Sequence, residues 1–274
     1  MSYKVLEIYR DLPRTNCGDC GKGSCFAFAS AVFLEGSPLS ACTALDEKLL
    51  KSMAAKLGEA RAQGEGRKAE SHQQALEYLV RKMAHADLVR LAENAGAVYD
   101  PGPPEEIRLE FLGFPHRVRR KEVEAMAGPS PSIWVKVFLL IYLTRAKGTS
   151  PTGQWVAYRE LPNTVSKSKS FEEAGTRIAR IFEGVPGQLD EAARSLGGTP
   201  ERGFGSADRA YVFRALPRVD LFLLFWDRQE DFPARASILI DRGLLDYLDQ
   251  EAAVFLVEAF ANRLMGRDGA EVTP

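Results

Sequence analysis

The chain has 274 residues and 45% hydrophobic content, enough for one large domain or two of unequal size with a core that needs no metal over most of its length. Lys plus Arg (36) nearly balances Asp plus Glu (37), for a net charge of -1, which argues against a general nucleic-acid binder with a basic excess. Met1–Arg10 is charged every few residues and lacks the apolar centre of a secretory signal.

All four cysteines lie near the amino end, as Cys17-x2-Cys20-x4-Cys25-x16-Cys42, and none follows. Such clustering implies shared chemistry. Three thiolates in one short loop can grip three corners of a cubane only if the backbone wraps closely, and Gly18, Gly21 and Gly23 supply positive φ and backbone N–H donors for sulfide. A helix is expected over Phe26–Glu35, with Cys25 in its first turn where the helix dipole favours a thiolate. Gly36-Ser37-Pro38 stops it, and the chain returns through Leu39-Ser40-Ala41 to Cys42. Phe26 and Phe28 are candidates to keep water off the cluster, or ordinary core residues.

Other chemistries use the same residues. Two disulfides would give an even count but suit an oxidising compartment. A Zn(Cys)4 site is not excluded by spacing, although zinc sites usually pair two Cys-x-x-Cys knuckles and one occurs here. A thioredoxin-like Cys-x-x-Cys would leave Cys25 and Cys42 without a role. The reading preferred from the residues is one [4Fe-4S] cluster on Cys17, Cys20, Cys25 and Cys42.

The stretch Leu12-Pro13-Arg14-Thr15-Asn16-Cys17-Gly18-Asp19-Cys20, with Cys25, Phe28-Ala29 and Cys42, resembles the iron–sulfur module that opens the large subunit of the corrinoid iron–sulfur protein of the acetyl-CoA pathway and occurs in the Rnf B subunit. The resemblance covers about residues 5–45. It implies a low-potential [4Fe-4S] cluster, electron transfer, an anaerobic host, and a redox partner protein or corrinoid protein. It does not extend to the corrinoid-binding domain.

An amphipathic helix is expected over Ala44–Glu59, then a polar linker at Ala62–Lys68. The expected organisation is a cluster module at 1–45, a connecting helix and linker at 46–69, and an α+β domain at 70–266. Helices are expected at Gln73–Ala84 and Leu88–Ala95, then a half-buried strand at Ile107–Leu112 turning at Gly113-Phe114-Pro115 toward His116–Val118. The basic run Arg117–Lys121 reads as a solvated loop or helix face. Ile133–Leu143, the most apolar stretch, is about half the ~20 residues of a spanning helix and contains Lys136. It reads as a buried helix, so no membrane insertion is expected and the compartment is cytoplasmic. Strands are expected at Trp155–Glu160, Ala210–Leu216, Val219–Trp226 and Ala236–Ile240, helices at Phe171–Phe182 and Ala252–Leu264, and a flexible glycine loop near 197–206.

The phrases Gly153–Pro162, Leu216-Pro217-Arg218, Leu224–Asp227, Glu230–Pro233 and Ile238–Asp241 resemble one uncharacterised family of anaerobes, at most described as metal-binding and often fused behind the same module. The resemblance spans about 75–265 and implies a lineage but no reaction. Arg228 and Gln229 stand where that family usually has Gly and Asp.

Asp227, Glu230 and Asp231, just after an apolar strand, could hold a hard cation or act as an acid/base pair, with Asp241 on the same edge. Against that, acidic residues after a strand usually form a solvated turn. His72 and His85 read as surface helix residues, and His116 as a residue able to reach a pocket. Phosphate loop, dinucleotide fingerprint and nucleophile elbow are all missing. Two other classes stay open beside electron transfer: a non-catalytic binding or maturation protein with a structural or sensory cluster, and a metal-dependent enzyme using the C-terminal carboxylates.

Overall fold

A computed structural model describes residues 3–22, 24–35, 37–62, 68–128, 130–202 and 204–266. Residues 63–67 of the linker expected at Ala62–Lys68, with Gly23, Gly36 and Gly203, lie outside these, while Ala62 and Lys68 are helical. The chain divides into two compact units, Met1–Ala75 and Leu76–Pro274.

In the first unit, α1 (Val5–Asp11) was not expected from the sequence. Its first turn closes through the Lys4 N–H, which donates to Glu7 Oε2 at 3.2 Å, and it buries Ile8. Ser24 caps α2 (Cys25–Ser30), accepting from the Ala27 N–H at 3.1 Å. The expected ten-residue helix is not regular: after Ser30 the winding widens to a π turn over Ala31–Glu35. Ala31, Val32 and Phe33 of that turn are all buried. A 3-10 turn at Leu39–Ala41 leads to Cys42. The next helix, α3 (Glu47–Ala62), starts three residues later than expected because Asp46 caps it, accepting from the Leu49 N–H at 2.7 Å. Met53 and Leu57 of α3 enter the same core as Ile8, Leu12, Phe28, Val32 and Leu39.

The second unit is α+β, as expected. α4 (Lys68–Ala84) precedes α5 (Leu88–Ala95), which is capped by Asp87 and ended by Gly96 at φ +66°. A four-stranded antiparallel sheet follows, β1 (Val98–Asp100), β2 (Glu106–Phe111), β3 (Phe114–Val118) and β4 (Val123–Ala125), paired in chain order. In β2, Ile107, Leu109 and Phe111 are buried while Arg108 and Glu110 are exposed, the alternation read from the sequence.

The apolar helix α6 (Ile133–Arg145) is buried as expected, with Val137 to Leu140, Tyr142 and Leu143 in the core. The Tyr142 hydroxyl donates to the Ala95 carbonyl at 2.6 Å and accepts from the Arg218 N–H at 3.1 Å. Among the described residues no helix is long and apolar enough to cross a membrane.

The expected strand at 155–160 stops early. β5 is only Trp155–Ala157, because the Ala157 N–H donates to Glu160 Oε1 at 2.9 Å and winds 158–160 into a 3-10 turn. That turn buries Tyr158 flat against Phe171, with centroids 4.4 Å apart. Then come α7 (Ser168–Phe182) and α8 (Pro186–Ser195). The sequence hid α8: Pro186-Gly187 resembles a breaker, yet Pro occupies the first helical turn, where its missing N–H costs nothing.

Gly197 and Gly198 end α8, and the proposed loop contains a short strand, β6 (Thr199–Pro200), paired with β7 (Arg209–Leu216). β8 (Val219–Trp226) and β9 (Arg235–Asp241) complete a five-stranded antiparallel sheet of order β5-β9-β8-β7-β6. The almost wholly buried α9 (Gln250–Leu264) closes the unit. On α7, Gly175 faces β9, where an added Cβ would stand 2.7 Å from the Ala236 carbonyl oxygen. The two sheets are joined by the Leu112 N–H donating to the Ala215 carbonyl at 2.9 Å and by Arg263, whose Nη1 donates to the Leu112 carbonyl at 2.7 Å.

Candidate iron–sulfur site

The site is built from the loop before α2, the start of α2 and the turn after it. All four cysteines are free thiols, with Cys17 exposed, Cys20 half-buried, and Cys25 and Cys42 buried. Cys25 and Cys42 lie in one apolar core, and Cys20 packs against it. Cys17 is at the surface and outside that core. Among the described residues, no group of three or more His, Cys, Asp or Glu is gathered closely enough to hold a single metal ion.

The loop's conformation follows from its glycines. Gly18 and Gly21 take φ of +81° and +77°, and the Gly21 N–H donates to the Gly18 carbonyl at 2.8 Å. The backbone therefore turns over Gly18 to Gly21 without Cβ strain. One expectation changes here: the Gly21 amide is used within the turn rather than toward sulfide. The N–H that reaches a sulfur belongs to Asn16, which donates to Cys25 Sγ at 3.4 Å. In return the Asn16 side-chain oxygen accepts from the Cys25 N–H at 2.8 Å. Asn16 itself sits at φ +52°, a left-handed conformation that Asn tolerates better than most residues.

Phe26 and Phe28 part company. Phe28 is 1% exposed, in the same core as Cys25 and Cys42. Phe26 is 48% exposed and meets Tyr9 edge-on at 5.5 Å. α1 is tied to α3 through Asp11, which accepts from the Tyr3 hydroxyl at 2.7 Å and from Lys56 at 2.9 Å. Burial pushes the Asp11 carboxyl up, but these two bonds outweigh it and leave its pKa below the ordinary value.

Four thiols, an amide aimed at one sulfur and a glycine turn between ligand positions suit an iron–sulfur group. Thiolates on iron carry negative charge that N–H donors stabilise, and an apolar wall limits water access.

The other residues singled out by sequence are spent on structure. Asp227 Oδ1 accepts from the Gly184 and Arg228 N–H groups at 2.7 and 2.8 Å. Glu230 and Asp231 are exposed in a turn closed by Gln229 and Phe232, beside an open depression of about 780 Å³. Asp241 accepts from the N–H groups of Thr152, Gly153 and Gly243, which fixes the approach to β5. Asp227 and Asp241 cap backbone at separate places, and Glu230 and Asp231 stay exposed in their turn.

His116 is buried, its Nδ1 2.9 Å from the Phe114 carbonyl, and burial lowers its pKa. His85 is exposed after α4, and His72 is partly exposed on that helix. The basic run starts on β3 and continues in the loop after it, as the loop reading expects, with Lys121 exposed and the arginines ion-paired. Arg117 pairs with Glu124 at 2.7 Å, and Arg119 with Glu106 at 3.0 Å and Glu122 at 2.8 Å. Arg120 pairs with Glu105 at 2.6 Å and donates to the Met83, Ala84 and Ala86 carbonyls at the end of α4.

Comparison with known proteins follows the same division. Residues 12–44 match a family model described as "Putative Fe-S cluster". A stretch of 51 residues is 44% identical to the acetyl-CoA decarbonylase/synthase complex subunit gamma of Methanosarcina acetivorans and to subunit gamma 1 of Methanosarcina thermophila. Each match covers 18% of this chain and 11% of the relative, so the chain spans about a tenth of the length of these curated proteins. No solved structure matches. Residues 87–263, well over half of the chain, match the model of a domain of unknown function, DUF3786, and the chain belongs to that family.

Proposed function

We propose that this chain is an iron–sulfur protein in which Cys17, Cys20, Cys25 and Cys42 hold one low-potential [4Fe-4S] cluster that exchanges single electrons with a protein partner. The observation that carries the reading is the graded burial of the four thiols, two inside one apolar core and one at the surface. The buried pair anchors the group and excludes water on one side. The exposed Cys17 leaves an edge within reach of a redox partner, and electron transfer needs such an edge. When bound, the cluster supplies a one-electron couple whose potential depends on net charge, hydrogen bonds to sulfur and exposure.

The matched relatives are subunits of the acetyl-CoA decarbonylase/synthase complex. That likeness supports a setting in one-carbon metabolism, and the resemblance of the cysteine loop to a corrinoid iron–sulfur module adds the proposal of a cytoplasmic protein of an anaerobe that reductively activates a corrinoid protein. The domain after the module would then dock or present the partner.

The test is anaerobic purification of the full chain with iron and sulfide analysis, visible absorbance and EPR after dithionite. A brown protein whose absorbance bleaches on reduction is expected, and Cys→Ser at any one of the four positions should lower bound iron. A colourless protein with stoichiometric zinc, or unchanged iron in all four variants, would refute it. A bound cluster that no low-potential donor reduces would refute the electron-transfer part alone.

A further inference from the structure

We infer that Asn16 is a positioning residue that closes the cysteine loop and sets the reduction potential through Cys25. The inference rests on the cluster reading above. Two hydrogen bonds link Asn16 and Cys25 across nine positions. The Asn16 side-chain oxygen accepts from the Cys25 N–H at 2.8 Å, and the Asn16 N–H donates to Cys25 Sγ at 3.4 Å. Through its side-chain oxygen and its backbone N–H, one residue thus ties both the backbone and the sulfur of Cys25 to the position preceding Cys17.

The geometry restricts what can stand at this position. A φ of +52° is tolerated by Gly, Asn and Asp, and of these only Asn and Asp carry the acceptor. The first turn of α2 presents N–H groups without helical partners. Ser24 takes that of Ala27 and Asn16 takes that of Cys25. With its own amide so engaged, Cys25 is held at the start of α2 while its sulfur receives a donor from outside the helix. An N–H donated to a thiolate ligand stabilises the more negative, reduced state and therefore raises the potential. Loss of the side-chain clamp frees the loop and weakens that donor.

The experiment compares full-length wild type, Asn16→Gly and Asn16→Asp, reconstituted anaerobically. Midpoint potential is read by dye-mediated titration followed by EPR, and iron release by a colorimetric chelator. Asn16→Gly keeps the backbone conformation but removes the acceptor. Its potential should be more negative than wild type, and it should lose iron about fivefold faster, the factor that one neutral hydrogen bond is worth. Asn16→Asp keeps the acceptor and should release iron more slowly than Asn16→Gly, while its added negative charge makes the potential more negative than wild type.

Wild-type potential and release in Asn16→Gly would overturn the inference. So would faster release with an unchanged potential, which would make Asn16 a residue of the fold only. Release by Asn16→Asp as fast as by Asn16→Gly would also overturn it, since the acceptor would then be irrelevant. Absence of a cluster from wild type itself is a separate result and would remove the reading beneath.

Discussion

Phe28→Ala is the substitution that most directly tests how the module holds its site. Phe28 is 1% exposed and shares a core with Cys25, Cys42, Val32, Leu39 and Met53. Truncating a buried Phe to Ala removes its transfer free energy and leaves a cavity, at a cost of about 3–5 kcal/mol. Residues 1–75 form the first compact unit, and typical stability per residue would give a unit of that size about 4–11 kcal/mol. One side chain therefore accounts for a large share of what holds Cys25 and Cys42 in place. The assay is amide hydrogen exchange by mass spectrometry on the full chain, with and without iron. In the iron-free protein, protection over α2 and α3 should fall by about two to three orders of magnitude. Phe26→Ala is the control: a half-exposed ring in one edge-on contact with Tyr9 should cost about 1 kcal/mol. If Phe28→Ala kept wild-type protection and iron retention, the claim that an apolar core anchors the buried thiols would be refuted.

Three further outcomes are expected in the second unit. Tyr142→Phe leaves the Ala95 carbonyl and the Arg218 N–H without their partner and should destabilise by about 2–4 kcal/mol, since each buried unsatisfied group costs about 1–3 kcal/mol; urea titration followed by intrinsic fluorescence reads it. Gly175→Ala gains helix propensity but pushes a methyl to 2.7 Å from the Ala236 carbonyl, so a net loss of about 1–3 kcal/mol is expected in the same titration. The Arg108 hydrogen bond, with that of Arg119, holds the Glu106 carboxyl below its ordinary pKa. A lowered folded-state pKa means that its stabilisation is present above the unfolded pKa of about 4.3 and is lost as pH falls through the folded value. The urea midpoint should therefore drop below about pH 4, and Glu106→Gln should flatten that limb of the profile.

Much of the second unit was legible because its elements carry strong periodic signals. β7 and β8 were readable as two apolar runs joined by Pro217-Arg218, and they pair from Arg209–Phe225 to Leu216–Val219. What stayed hidden has local causes. Pro186 looks like a breaker unless the first turn of a helix is allowed for. Tyr158 belongs to an apolar run but is turned inward by the Glu160 cap rather than by a strand. The π turn at Ala31–Glu35 follows directly on a run of good helix formers, and helix propensity does not mark where the winding widens.

At the site, the legible and illegible parts differ in kind. Thiols announce themselves, because cysteine is scarce and four in one segment need a common explanation. The carboxylates at 227, 230 and 231 also stood out, yet backbone N–H groups claim Asp227 and the other two stay in an exposed turn. Composition cannot separate a ligand from a cap, since both require an oxygen acceptor near a chain reversal. Asn16 is the reverse case. In the sequence it is one residue of a motif, although its side-chain oxygen and its backbone N–H clamp Cys25 from nine positions away. A signal was available: an Asn directly before the first cysteine of a glycine-rich loop supplies both the positive φ and the acceptor that the first turn of the next helix needs. On the function proposed above, the iron chemistry of the module would then depend on a residue that itself never touches iron.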